Sequence, residues 1–191
     1  FVVRLNLRNP LAFFDLEATG TNITHDRIVE IAVIKIMPSG ERLTFEKRVN
    51  PEKAIPPEAS FIHGIYDTDV KDAPSFKMIA KELVKFLQGC DLAGFNVLRF
   101  DIPMLIESFL RVDIDFKIEN RKVVDAQRIF HLMEKRNLTA AYQFYCGKEP
   151  VRAHNAMHDT ETTLAVLEAQ VVRYANQPVT DNEGKILGTI T

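Results

Sequence analysis

Cysteine is scarce in this chain of 191 residues, where only Cys90 and Cys146 occur. Two thiols do not make a disulfide framework, and a sequence so poor in them fits a reducing cytoplasm. The same scarcity leaves little basis for a cysteine-rich metal site or a thiol nucleophile. No apolar run is long enough to cross a bilayer, and no basic segment followed by an apolar one opens the sequence. Neither sign of charge dominates: 24 Lys and Arg stand against 26 Asp and Glu, a formal net charge of −2. A protein that coats duplex DNA through many phosphate contacts needs more positive charge than that. An enzyme that grips one short single-stranded end does not. No Gly-x-Gly-x-x-Gly follows the first strand and no Walker-type Gly-Lys-Ser/Thr is present, which disfavours nucleotide-cofactor folds. Internal repeats and low-complexity stretches are also missing.

What is present is an ordinary globular composition, 46% hydrophobic and 26% charged, in a length that suits one domain with a substantial core. Strands are expected over residues 11–16, 28–37 and 43–49, the last two joined by the turn Pro38-Ser39-Gly40. A proline-rich loop over 50–57 follows. Residues 74–87 carry Phe76, Ile79 and Leu83 on one stripe and end near Gly89, which predicts a helix. A short strand over 91–96, a helix from Asp101, a short strand at Val123-Val124 and a helix to about Lys135 come next. Asn137 caps a short helix that ends near Gly147, and a long helix runs from about Asn155 to Asn176. Strands first and then strands alternating with helices imply an α/β fold with a mixed sheet. The expected division is a domain over 1–176 and a tail or hairpin over 177–191, whose polar character predicts that the native chain continues past Thr191.

The chemistry begins in the first strand, Phe13-Phe14-Asp15-Leu16-Glu17-Ala18-Thr19-Gly20. Side chains two apart on a strand share a face, so Asp15 and Glu17 project together and Leu16 points away from them. Two adjacent carboxylates repel, and each loses solvation on burial, so such a pair invites a compensating cation. Mg²⁺ and Mn²⁺ suit carboxylate oxygen. Alone, the pair also reads as the solvated end of a strand. Asp101 comes just before a helix, where it doubles as an N-cap. Asp159 falls in the first turn of the last long helix, a position that the helix dipole favours in any case. His154, five residues before it, has a side chain suited to proton transfer near neutrality.

As a set, Asp-x-Glu on the first strand, Asn-(x)3-Phe-Asp in mid-chain and His-(x)4-Asp near the end resemble the DEDDh family of 3′–5′ exonucleases. That family includes the epsilon proofreading subunit of bacterial DNA polymerase III, ribonuclease T and oligoribonuclease. The similarity covers roughly residues 11–175, with further matches at Ile62-His63-Gly64-Ile65, Val124-Asp125 and Asn137-Leu138-Thr139. Asn155 stands where the tyrosine-using branch would place its tyrosine. The resemblance implies a ribonuclease H-like fold, a mixed five-stranded sheet with helices on both faces. It implies two Mg²⁺ or Mn²⁺ ions held by Asp15, Glu17, Asp101 and Asp159, with His154 as general base. Thr19, His63 and Ile65 are the expected contacts to the terminal nucleotide, Ile65 against its base. Asn96 belongs with them, although it more readily orients the Asp101 segment. Asp125 is expected to be structural, and His158 to lie at the surface or behind the site.

The activity so implied removes nucleoside 5′-monophosphates from the 3′ end of single-stranded nucleic acid, with DNA favoured and a DNA polymerase or another replication or repair protein as partner. The alternatives are an exoribonuclease of the same family, a non-catalytic subunit that tethers a polymerase, and another ribonuclease H-like enzyme such as an endonuclease.

Overall fold

Five strands form one sheet of order β3-β2-β1-β4-β5 in the computed structural model, which describes residues 5–150, 155–181 and 184–191. The first three, β1 (Leu11–Ala18), β2 (Ile28–Ile36) and β3 (Arg42–Arg48), are an antiparallel meander. On its other edge β1 pairs in parallel with β4 (Asp91–Gly94), and β4 pairs in parallel with β5 (Val123–Asp125). The mixed sheet is the one the sequence led us to expect. The carboxyl ends of β1, β4 and β5 therefore open on the same end of the sheet, where α/β folds gather their functional groups.

The chain divides into two compact units, Phe1–Phe130 and His131–Thr191. In the first, alternation along β1 sorts the side chains. Ala12, Phe14, Leu16 and Ala18 are buried in the main core, and Phe13, Asp15 and Glu17 face the other way. Helices α3 (Phe76–Phe86) and α4 (Asp101–Leu110) cover the core face with Ile79, Leu83, Met104, Leu105 and Phe109. The Phe109 ring meets those of Phe76 and Phe116 at 5.3 and 5.0 Å between centroids. In the second unit, α6 (Leu138–Cys146) starts at Asn137, whose side chain accepts the Ala140 amide. It packs on α7 (Ala156–Arg173), and β6 (Pro178–Thr180) and β7 (Ile186–Thr189) close an antiparallel hairpin. Helix α5 (Ala126–Met133) straddles the boundary of the two units in the chain.

The stretch after the 50–57 loop holds helices that the sequence reading did not foresee. It contains α1 (Pro57–His63) and α2 (Asp67–Val70). Proline disrupts a helix interior but not its first turn, where Pro57 sits, and Gly64 ends the helix in the left-handed conformation at φ 71°. A second small core of Val29, Ile55, Ala59, Ile65 and Val70 lies beneath these two helices.

Strand β4 stops at Gly94, two residues earlier than its apolar pattern suggested, because Asn96 turns the chain at φ 61°. Asp125, at the end of β5, stabilises that turn. Its carboxylate accepts the amides of Asn96 (2.9 Å), Leu98 (3.3 Å), Gln127 (3.0 Å) and Arg128 (3.4 Å), so it both pins the 96–98 turn and caps α5. Burial alone would raise the Asp125 carboxyl, yet these amides hold it below the ordinary range. Gly94 is equally constrained. A Cβ there would lie 2.9 Å from the Val97 Cβ and 3.0 Å from the Phe14 carbonyl oxygen. The substitution Gly94→Ala should therefore destabilise the protein by about 1–3 kcal/mol through overpacking, read as a lower urea midpoint in chemical denaturation.

Candidate active site

Parallel pairing between β1 and β4 ends at Phe13 opposite Ala93, so the next amides on that edge of β1 have no strand partner. Asp101, the first residue of α4, takes the place of one. Its Oδ1 accepts the Leu16 amide at 3.0 Å and no side-chain cap bond forms on its own helix. The capping role that the sequence allowed is thus not the role Asp101 plays. The bond brings Asp101 to the segment between Asp15 and Glu17.

Asp101 is only 4% exposed. Its carboxyl is raised to about 7, chiefly by burial and also by the charges of Asp15 and Glu17, against the Leu16 amide, which lowers it. Burial and Asp15 likewise raise the Glu17 carboxyl, while the His63 imidazole opposes them. Glu30, directly across from Glu17 on β2, raises that carboxyl a little further, although Arg48 pairs with Glu30 at 2.8 Å. Among the described residues no ion pair or hydrogen bond compensates the carboxylates of Asp15 and Glu17. The charges of Asp15 and Glu17 thus act on Asp101, and that of Asp15 on Glu17.

A cleft of about 420 Å³ opens beside them, lined by Glu17, Thr19, Gly20, Thr21, Ile62, His63 and Phe100 among others. The His63 Nδ1 accepts the Ile65 amide at 3.1 Å, which places the proton of a neutral ring on Nε2. That Nε2 is buried and has no hydrogen-bond partner. The site thus contains a donor without an acceptor. Thr19 is committed elsewhere: its hydroxyl donates to Asp26 Oδ1 at 2.8 Å and accepts the Arg27 amide at 3.1 Å.

Ile65 departs from expectation. It is 1% exposed in the small core, so it supports the helix from below, and Ile62, 82% exposed, is the isoleucine that lines the cleft. The two lie on opposite sides of the Gly64 turn, which sequence alone does not reveal. Asn96 turns the chain towards Asp101, its carbonyl accepting the Arg99 amide at 3.2 Å. Phe14, on the opposite face of β1, is core, and Phe100 lines the cleft.

Asp159 belongs to the second unit. It lies in the first turn of α7, capped by Asn155, and its carboxylate has no hydrogen bond or ion pair among the described residues. His158 lies 3.7 Å from Glu161. His154 lies outside the described residues. The structure thus brings together Asp15, Glu17 and Asp101, with Thr19 and His63 along the adjoining cleft.

A family model described as Exonuclease matches residues 12–167. The chain belongs to the exonuclease family. The DEDDh resemblance drawn from the motifs stands with it. The exonuclease chain is 30% identical over 176 residues to a DNA polymerase III subunit epsilon of Treponema pallidum, covering 86% of this chain and 77% of that one. It is 26% identical to 3′-5′ exonuclease DinG of Staphylococcus haemolyticus and 30% identical to a PolC-type DNA polymerase III of Oceanobacillus iheyensis. It spans only 19% and 12% of those two relatives. Among solved structures it superposes on E. coli Exonuclease I in complex with a dT13 oligonucleotide with a TM-score of 0.58 at 19% identity, covering 87% of this chain and 41% of that one. That likeness establishes the ribonuclease H-like fold.

Motif order did not single out Asp26, or Ile62 over Ile65, as a residue of the cleft. Asp26 joins the cleft wall only through bonds across its loop, and Ile62 is distinguished from Ile65 only by exposure. An all-oxygen donor set with uncompensated charge fits a hard divalent cation in kind. Among the described residues no three His, Cys, Asp or Glu side chains are grouped as a complete metal cage.

The raised Asp101 carboxyl has a measurable consequence. Unfolded, an aspartate has its ordinary pKa of 3.8; folded, the Asp101 carboxyl is raised to about 7. Between those values the folded state binds more protons at Asp101, so this residue's contribution to metal-free stability is greatest below about pH 4 and is lost as pH rises to about 7. Asp101→Asn should remove that decline and be more stable than the parent at pH 8 by on the order of 2–4 kcal/mol, measured by denaturation across pH in a chelator. Equal slopes for the two proteins would rule out Asp101 as the source.

Proposed function

We propose that the protein is a metal-dependent 3′–5′ exonuclease that shortens single-stranded DNA and releases nucleoside 5′-monophosphates. One observation carries this reading. Asp101, buried and raised, is bonded to the strand segment that carries Asp15 and Glu17, at the edge of a cleft the size of a nucleotide. A scaffold has no reason to bear the cost of gathering acids without a counterion. The DNA preference is supported by the epsilon-subunit relative, which this chain matches over most of its length. A polymerase is the matching partner class.

In this reading Asp15, Glu17, Asp101 and Asp159 hold two Mg²⁺ or Mn²⁺ ions. Bound there, such ions activate a water and stabilise the leaving 3′ oxygen. The chain's own groups do the rest. His154, which precedes α7 in the sequence, takes the proton from the attacking water. The His63 Nε2–H donates to the terminal nucleotide, which satisfies its missing bond. Ile62 and Phe100 give that nucleotide's base apolar walls, and Thr19 and Gly20 close the cleft beside its sugar. Attack at phosphorus breaks the P–O3′ bond, leaving a 5′-monophosphate and a new 3′ hydroxyl on the shortened strand.

The test is a digestion with Mg²⁺ of matched linear DNA, linear RNA and circular single-stranded DNA. Stepwise loss from the 3′ end of the linear DNA, slower loss from RNA and an intact circle are expected. Cutting of the circle would instead indicate an endonuclease. Asp15→Asn should lower turnover about a thousandfold, the loss of several kcal/mol of charge stabilisation, while its metal-free thermal midpoint stays level or rises. Near-parental turnover in that variant would refute the assignment.

A further inference from the structure

The loop between β1 and β2 forms one wall of the cleft through Thr19, Gly20 and Thr21, and it is built around the Asp26 carboxylate. Oδ1 of Asp26 accepts the Thr19 hydroxyl at 2.8 Å, and Oδ2 accepts the Asn22 amide at 2.9 Å. Lys53 approaches the same carboxylate at 3.5 Å. Burial opposes ionisation of Asp26, but the two hydrogen bonds and Lys53 hold it below the ordinary range. Nothing larger than glycine fits at position 20, where a Cβ would stand 2.5 Å from Asp26 Oδ2.

That wall is fastened from outside by one side chain. The Arg111 Nη1 donates to the Asp26 carbonyl at 2.9 Å. Its Nη2 donates to the Ile23 and Thr24 carbonyls at 3.1 and 2.7 Å, and its Nε faces Glu107 at 3.4 Å. Arg111 is the C-cap of α4, the helix that begins with Asp101. About 15 Å of helix therefore separates a bond to the acidic strand at one end from three bonds to the cleft wall at the other. We infer that Arg111 is a positioning residue, which fixes the 19–26 wall relative to the Asp15–Glu17–Asp101 group and so sets the fit of the terminal nucleotide. The inference rests on the nuclease reading above for its substrate, and on these bonds for its geometry. Lysine cannot replace the fork: its three donors leave one nitrogen and cannot reach carbonyls spread along four residues.

The experiment uses Arg111→Lys and Arg111→Gln in the full chain, with a single-stranded DNA oligonucleotide and Mg²⁺. In both, KM should rise about tenfold or more while kcat changes less than about threefold, because the wall binds and aligns substrate without touching the reacting atoms. Hydrogen exchange at the Asn22 and Asp26 amides should accelerate, while the amides of β1 and β2 stay as protected as in the parent. An unchanged KM, or kcat falling only in step with the folded fraction seen by circular dichroism, overturns the inference and leaves the nuclease reading intact. Should the parent digest nothing, the nuclease reading fails. Exchange then decides the clamp alone, and unaltered protection at Asn22 and Asp26 in Arg111→Gln would refute it.

Discussion

The bond from the Leu16 amide to Asp101 joins the first strand to a helix 85 positions later, and it does so where the strand has run out of strand partners. The donor has to be satisfied by something, and a carboxylate satisfies it at the cost of taking a charge out of water. Asp15 and Glu17 lie one residue to either side, so the acid that completes the backbone is also pressed against like charges. Structure and chemistry are coupled at that point. The features around it follow from this: Gly94 to let the chain leave β4 closely, Asn96 to turn it, and Asp125 to hold the turn through four amides.

The two buried aspartates at the carboxyl end of the sheet show how environment divides identical side chains. Asp125 has amides enough to remain ionised, and it serves the fold. Asp101 has one amide from β1 and two acidic neighbours, and its carboxyl is driven towards neutrality. An aspartate held in that state gains from any cation that enters, because an opposite charge favours its ionised form. Asp26 is a third case, ionised and internal to a loop, where it shapes a wall without entering the chemistry.

Much of the site was legible before the fold. Asp15 and Glu17 share a face because strand period is two, and that alone predicted Leu16 in the core, where it lies. The place of β4 beside β1, and hence of Asp101 near the pair, followed from strands alternating with helices. Two kinds of feature were not legible. The α1 helix was hidden by Pro56-Pro57, since local composition does not distinguish a loop proline from one in a first helical turn. Ile62 and Ile65 were interchangeable until Gly64 turned the chain between them and buried one.

Periodicity and motif order, then, determined the element types outside the 57–70 stretch, the mixed sheet and the shared face of Asp15 and Glu17, because these depend on near neighbours in the chain and on the pleat of a strand. Tertiary structure decided which amide Asp101 would bind, which isoleucine would face the cleft, and that Arg111 would grip a loop more than 80 residues before it. Those outcomes depend on which groups are left unsatisfied once strands and helices have paired. That remainder exists only after the chain has folded.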